Sequence, residues 1–228
     1  MPFEKACREL FDYPVDPEWM VINEQMENAY RGASRVVLAH ASMWQPSAFA
    51  AAFAVWKVLC THMGRAYIFS PTISPILIVR NLIESLLMQY PALAYSLTFD
   101  PFSISLTYDR ERRIEWVHPD SLTDQKIRRM AGCHTFVYVD AAHDCANELL
   151  EALSSEIYPN QSMLIAGIPK SAHGTFKALY DDSAFWPVKL PDRGLTEPGA
   201  GSLDLLRREY GEDSDAFRSQ VLAEFPQA

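Results

Sequence analysis

Short runs of β-branched and aromatic residues alternate along this chain with longer segments that have helical spacing. The clearest runs are RVVLAH (35–40), RAYIFS (65–70), TFVYV (135–139) and SMLIA (162–166). Runs with so few polar residues are typical of strands that are buried on both faces of a parallel sheet. The alternation therefore predicts an α/β fold, a three-layer α/β/α sandwich with a mainly parallel central sheet.

Helical spacing fills the segments between these strands. The predicted helices lie within 1–16, 18–30, 48–62, 75–90, 145–156 and, as two short helices, 203–225. Residues 104–108 and 114–117 flank the charged tetrapeptide 109–112, which predicts a β-hairpin insertion. We expect 1–228 to form a single domain. Its parts are an N-terminal extension (1–17), a flexible connection rich in proline and glycine (187–201) and C-terminal helices (202–228).

Charge and cysteine usage exclude several classes of protein. The chain has 20 basic and 29 acidic residues, a net charge of −9 with neutral histidine, so its long-range field repels nucleic acid unless basic residues cluster. Its four cysteines (Cys7, Cys60, Cys133 and Cys145) lack CxxC spacing, which argues against a zinc ribbon or a disulfide framework. The most apolar stretch, 48–60, is roughly half a bilayer crossing. We expect a cytoplasmic protein without membrane contact.

Short motifs follow the predicted strands. They are Ser70-Pro71-Thr72, Asp140 at the end of 135–139, Gly167-Ile168-Pro169-Lys170, and a tail containing Arg208–Ser214, Phe217-Arg218 and Ala223–Pro226. In this order they resemble the motifs of the ATPase domain of phage terminase large subunits, over residues 16–226. The resemblance implies a P-loop NTPase-like fold and a role in phage or prophage DNA packaging. It also implies that the nuclease domain of a full terminase is lacking, because the sequence ends where that domain would begin.

The phosphate-binding loop is where the sequence departs most from this family. A loop of the GxxxxGK[ST] type needs glycines so that its backbone can approach the phosphates, and a lysine to neutralise them. Here Ala41 and Gln45 stand at the glycine positions and Pro46 at the lysine position, and Pro46 also removes a backbone N–H. Only Ser47 retains a hydroxyl that matches the motif.

The acidic strand departs in the same direction. Asp140 is retained, but Ala141 stands where the family carries its catalytic glutamate, and Ala39 stands where terminases often carry an arginine. Phosphoryl transfer depends on positioned charge, so losing these groups removes most of its catalysis. The resemblance thus implies a pseudo-ATPase with no catalytic residue, metal or cofactor. We expect it to act as a binding or regulatory module.

Two sets of residues are candidates for contacts with partners. Met43 and Trp44 either anchor a protein or fill the hollow that nucleotide occupies in the family. The basic set, Arg110, Arg112, Arg113, Arg128 and Arg129, with Lys126 nearby, contacts DNA or an acidic protein, or is an ordinary solvated turn and helix end. By analogy, the protein partner is a terminase, a portal or a small terminase subunit. Contact with nucleic acid is the weaker expectation, and the analogy also allows an oligomer.

Two alternatives stay open at this point. One is an enzyme with different chemistry around Asp140, His143 and His173, because open α/β sheets place their sites at the carboxyl ends of strands. Against it, Asp144 is placed to cap the following helix, and Cys145 is expected to be a buried, inert thiol. The other alternative is a non-catalytic subunit of a composite ATPase.

Overall fold

The computed structural model describes residues 2–10, 20, 22, 23, 26, 34–42, 44, 46–88, 95–118, 121–130, 134–155, 161–192 and 203–227. Within them, the strands are β1 (Ser34–His40), β2 (Arg65–Phe69), β3 (Leu97–Asp100), β4 (Ser103–Leu106), β5 (Asp109–Val117), β6 (Thr135–Val139), β7 (Ser162–Gly167) and β8 (Trp186–Leu190). The helices are α1 (Phe3–Leu10), α2 (Pro46–Cys60), α3 (Ile73–Met88), α4 (Asp124–Met130), α5 (Asn147–Ser154), α6 (Thr175–Asp181), α7 (Leu203–Tyr210) and α8 (Asp215–Gln220).

All eight strands form one sheet in the order β3-β4-β5-β2-β6-β7-β1-β8. The six strands from β5 to β8 in this order pair in parallel, and β3 and β4 add an antiparallel edge. The predicted mainly parallel α/β sheet is thus confirmed. Because β7 lies between β1 and β6, the loop after β1 and the acidic end of β6 face each other across one intervening strand.

Helices cover both faces of the sheet, and alternate residues of each strand pack into one of two apolar clusters. On β6, Phe136 and Tyr138 belong to the cluster under α2 and α3, whereas Val137 and Val139 belong to the cluster under α5 and α6. Helix α2 is buried along most of its length, because it packs on the sheet and also contacts α1 and α3. Its small alanines allow this close packing.

The antiparallel edge differs in detail from the predicted hairpin. The hairpin of β4 and β5 is present, but its turn is at Thr107-Tyr108, and the tetrapeptide 109–112 lies inside β5. A further strand, β3, pairs with β4, and β5 continues the main sheet by pairing in parallel with β2. The hairpin is therefore an extension of the central sheet and not a separate insertion.

Two other elements differ from the sequence interpretation. Residues 186–190 form β8, although the flexible connection was expected to begin at Pro187. A proline fits here because β8 is an edge strand and needs no inward N–H at that residue. Helix α6 was not predicted. Residues 193–201 and most of 18–30 lie outside the described residues. Helices α7 and α8 lie in the segment for which two short C-terminal helices were predicted.

Among the described residues, no helix combines the length and the apolar character needed to cross a bilayer.

Candidate functional site

The loop that follows β1 uses its backbone donors inside the protein. The N–H of Ala41 donates to the carbonyl of Leu190 at 2.9 Å, and the N–H of Ser42 donates to the carbonyl of Gln220 at 2.9 Å. The N–H of Trp44 donates to the carbonyl of Ala41 at 3.1 Å. Proline, at position 46, has no N–H. None of positions 41, 42, 44 and 46 therefore has a backbone donor left for a phosphate.

Trp44 fills space beside this loop. Its side chain is 9% exposed, belongs to the larger apolar cluster, and donates from Nε1 to the carbonyl of Pro191 at 2.6 Å. A buried indole with a satisfied N–H fits the filling interpretation better than that of an exposed anchor. Met43 and Gln45, which the sequence also singled out, lie outside the described residues.

The register of the motif needs one correction. Counted back from Ser47, the eight-residue motif begins at His40, so His40 and not Ala41 takes the place of the first glycine. His40 is buried, and its Nδ1 donates to the carbonyl of Ala41 at 2.8 Å. Burial lowers the pKa of His40. Ala39 lies fully buried in β1, between β7 and β8.

Ser47 and Asp140 lie in contact, as the resemblance implies for the hydroxyl and the carboxylate of a nucleotide site. Ser47 Oγ donates to Asp140 Oδ2 at 3.1 Å, and the N–H of Ala141 donates to Asp140 Oδ1 at 2.8 Å. Ala141 has a positive φ of 50°. Both oxygens of Asp140 thus accept hydrogen bonds from the protein. Burial, and to a lesser extent the nearby Asp140 carboxylate, raises the pKa of Tyr138.

His143 lies in a short 3₁₀ turn (Ala142–Asp144) after Asp140. Its Nδ1 accepts the N–H of Ile168 at 3.0 Å, and its Nε2 lies 3.2 Å from Asp144 Oδ2. A β-carbon at position 167 would lie 3.0 Å from His143 Nδ1, so glycine there lets the ring approach β7. Burial lowers the pKa of His143 to about 4, which makes the ring neutral at pH 7.

Asp144 does not cap the next helix, contrary to the sequence interpretation. Helix α5 begins at Asn147, and its N-cap residue, Ala146, gives no side-chain hydrogen bond. Asp144 instead contacts His143 and lies 3.6 Å from Lys170 Nζ.

A cavity of about 320 Å³ lies beside this turn. It is lined by Ala142, His143, Cys145, Asn147, Lys170, Ser171, His173, Gly174, Thr175, Phe176, Lys177 and Phe225. His143 and His173 share it, but Asp140 is not among its lining residues, so the three residues of the alternative enzyme site do not converge. Within the described part of the chain, no cluster of three or more His, Cys, Asp or Glu side chains can hold a metal ion.

The cysteines give no support to thiol chemistry. Burial, with Asp144 and Asp140 nearby, raises the pKa of Cys145 to about 12. Burial also raises the pKa of Cys60. A thiolate is the reactive form, and these environments disfavour it at neutral pH. Cys133 lies outside the described residues.

The basic residues do not form one patch. Arg112 donates to the carbonyls of Val58 at 2.5 and 3.0 Å and of Leu59 at 2.9 Å, at the end of α2. Arg113 and Lys126 pair with Glu115, at 3.3 and 3.1 Å. The remaining three, Arg110 on β5 and Arg128 and Arg129 on α4, are exposed. Arg112 is thus a packing residue, and the predicted interaction set is divided among two strand faces and a helix.

Two lysines of the cavity had no role in the sequence interpretation. Lys170 was noted only as the end of a strand motif, and Lys177 lies on the unpredicted helix α6. The fold brings them together with Phe225 from the C-terminal segment. No local pattern signals a contact among residues so far apart in the chain.

Known proteins match this chain in structure. No protein-family model matches the chain, and no curated protein sequence matches it. Solved structures do match. A mutant of the ATPase domain of the Thermus phage P74-26 large terminase has a TM-score of 0.70 at 16% identity, and the match covers 99% of each chain. The unmutated domain has a TM-score of 0.66 at 17% identity, again over 99% of each chain.

Longer terminases also match. The HK97 bacteriophage large terminase has a TM-score of 0.62 at 10% identity, over 96% of this chain and 48% of that one. The large terminase of a thermophilic bacteriophage, solved in complex with ADP, has a TM-score of 0.58 at 13% identity, over 94% of this chain and 54% of that one. The chain thus spans about half the length of these two proteins and nearly all of the isolated ATPase domain. It has the fold of the phage large terminase ATPase domain.

Proposed function

We propose that this protein is a non-hydrolysing module with the terminase ATPase fold, which acts by binding a protein of phage or prophage DNA packaging. The single observation that carries the proposal is the hydrogen bonding of the loop after β1. A phosphate-binding loop works because its N–H groups point at the ligand and its lysine compensates the negative charge. Here the N–H groups of Ala41, Ser42 and Trp44 are bonded to protein carbonyls, and the stretch 41–47 contains no cation.

The acidic end of β6 supports the same conclusion. Hydrolysis needs a group that orients the attacking water and metal-bound oxygens that stabilise charge. The methyl group of Ala141 can do neither. Groups that phosphoryl transfer needs are thus missing both at the loop after β1 and at the acidic end of β6.

The test is a calorimetric titration with ATP and magnesium, alongside an ATPase assay. We expect no saturable heat that depends on Asp140 and no turnover above a buffer blank, while a terminase ATPase domain measured in parallel shows both. Saturable binding that Asp140→Asn weakens would overturn the proposal, because binding would then use the residues that we regard as inactive.

An exposed apolar surface on α3 favours a protein as the partner. Ile73, Leu77 and Ile78 are 52%, 45% and 52% exposed, and the two charged residues of this helix, Arg80 and Glu84, pair with each other at 2.7 Å. Apolar surface without competing charge is a common feature of protein contact sites. The identity of the partner (a terminase, a portal or a small terminase subunit) rests on analogy with the fold. Cys7, Cys60 and Cys145 are not joined in disulfide bonds, which is compatible with the cytoplasm, where we place this complex.

Affinity capture tests the partner. The tagged protein, expressed in cells that are assembling the phage, should recover at least one packaging protein, and Ile78→Ser should reduce that recovery. Leu205→Ser, at a residue 62% exposed on α7, is the matched control and should not. Recovery of no packaging protein would refute this assignment. If the protein instead stimulates the ATPase activity of a purified terminase, the composite-ATPase alternative replaces that of a simple binding module.

A further inference from the structure

The cavity of about 320 Å³ beside the 3₁₀ turn is lined by several basic side chains. Lys170 and Lys177 line it, His143 and His173 add imidazoles, and none of the lining residues that the structure describes is a carboxylate. The chain as a whole has a net charge of −9. A concave site with two ammonium groups in its wall attracts an anion, even though a carboxylate lies beside each of them.

Hydrogen-bond donors without charge also line the cavity. The hydroxyl oxygen of Ser171 accepts the N–H of His173 at 3.2 Å, which leaves the Ser171 O–H to donate. The side-chain oxygen of Asn147 accepts the N–H of Thr175 at 3.1 Å, which leaves the Asn147 amide NH₂ as a donor. Together with the two ammonium groups, these donors suit a ligand group that has several acceptor oxygens.

Both lysines already have carboxylate partners outside the cavity lining, but these pairs are weak. Lys170 Nζ lies 3.6 Å from Asp144 Oδ2, with the two side chains 49% and 57% exposed. Lys177, whose side chain is 27% exposed, pairs with Asp181, whose side chain is 57% exposed. Solvent-exposed pairs of this kind contribute about 0–1 kcal/mol. An anion with several oxygens in the cavity can therefore recruit either ammonium group.

The remaining wall of the cavity is apolar. The rings of Phe176 and Phe225 lie with their centroids 5.5 Å apart, and Lys177 Nζ lies 5.2 Å from the centroid of Phe225. One cation thus lies directly beside the aromatic wall. The cavity volume is at the lower end of the range of small-molecule sites, about 300–1,000 Å³.

We propose that this cavity binds a small organic phosphate. Lys170, Lys177 and Ser171 hold the phosphoryl oxygens, and the organic part packs on Phe176 and Phe225. A phosphate ester is favoured over a carboxylate because it has three terminal oxygens and up to two negative charges, which match the number of donors. None of the described loop residues Ala41, Ser42, Trp44, Pro46 and Ser47 lines the cavity, so we treat this site as separate from the one that the family uses for nucleotide.

Calorimetric titration with three small probes tests the proposal. Phenyl phosphate should bind at one saturable site. Benzoate, which lacks the phosphoryl group, and inorganic phosphate, which lacks the ring, should each bind at least about tenfold more weakly. Lys170→Gln and Lys177→Gln should each weaken phenyl phosphate binding about tenfold. Lys5→Gln, which changes an exposed lysine of α1, should leave the affinity within about twofold of the parent protein.

Several results would overturn the proposal. These are the absence of saturable phenyl phosphate binding, equal binding of benzoate, and an equal loss in Lys5→Gln. Melting curves by circular dichroism establish that each variant is folded, so a loss of binding reports on the site. Ser47→Ala separates this proposal from the proposed function. It should leave phenyl phosphate binding unchanged, and a loss there would place the ligand at the loop after β1.

Discussion

Truncating Trp44 is the sharpest test of the idea that this side chain replaces a ligand as the filling of the loop region. The indole is 9% exposed and packs in the larger apolar cluster, and its Nε1 donates to the carbonyl of Pro191 at 2.6 Å. Trp44→Ala removes both the packed ring and the donor. We expect it to lower the free energy of unfolding by about 3–5 kcal/mol, the usual range for large aromatic truncations in cores.

A second substitution separates the two contributions. Trp44→Phe keeps most of the ring but removes the N–H, so the carbonyl of Pro191 loses this donor. The net value of such a hydrogen bond is about 1 kcal/mol, with a larger cost when the abandoned group stays buried. Trp44→Phe should therefore cost about 1–2 kcal/mol, well below the alanine variant.

Urea unfolding followed by far-ultraviolet circular dichroism measures both variants without depending on tryptophan emission. Trp186→Ala, at a residue 53% exposed on the edge strand β8, is the matched control and should cost less than about 1 kcal/mol. If Trp44→Ala costs no more than Trp186→Ala, the indole does not fill a structural hollow, and the filling interpretation is refuted.

Three further predictions concern packing and burial. In Gly64→Ala the new β-carbon would lie 1.9 Å from the carbonyl oxygen of Lys57 and 2.4 Å from Thr61 Oγ1. We therefore expect the free energy of unfolding, measured in urea, to fall by about 1–3 kcal/mol. An unchanged unfolding midpoint would contradict the close approach. Burial lowers the pKa of Lys57 to about 8, below its unfolded value of 10.5, so the unfolded chain binds the extra proton between these values. Stability should thus rise as pH increases from about 8 to 10.5, and Lys57→Met should abolish that rise; a rise of the same size in the variant would contradict the assignment. Arg112→Gln, which removes three hydrogen bonds to the end of α2, should lower the melting temperature, whereas Arg110→Gln should not. If the two variants lower the melting temperature equally, Arg112 has no packing role beyond that of the exposed Arg110.

The sheet could be predicted because its strands carry their own signal. Val36 to Leu38 and Phe136 to Val139 are apolar at every position, and the structure buries both faces of these strands. Such a pattern can be recognised from the local sequence alone. Strand β8 has the pattern exposed, exposed, buried, exposed, buried, and it contains Pro187, so its composition is that of a loop. Only its pairing with β1 makes it a strand, and β1 is far from β8 in the sequence.

The candidate site was predictable in its residue identities but not in its contacts. The sequence showed that a lysine and two glycines are missing around Ser47, and that Ala141 replaces an acid. It did not show that the carbonyls of Leu190 and Gln220 accept the loop's N–H groups, because those partners lie well over a hundred residues away. The same limit explains Arg112, whose role depends on where α2 ends relative to β5.

The most direct test of the central claim observes the loop itself. In a two-dimensional ¹H–¹⁵N spectrum, the amides of Ala41, Ser42 and Trp44 report whether a phosphate reaches them. We predict that addition of ATP with magnesium leaves these three signals in place, because their N–H groups stay bonded to protein carbonyls. A saturable shift of these signals, reduced in Ser47→Ala, would contradict the account and identify a working nucleotide site.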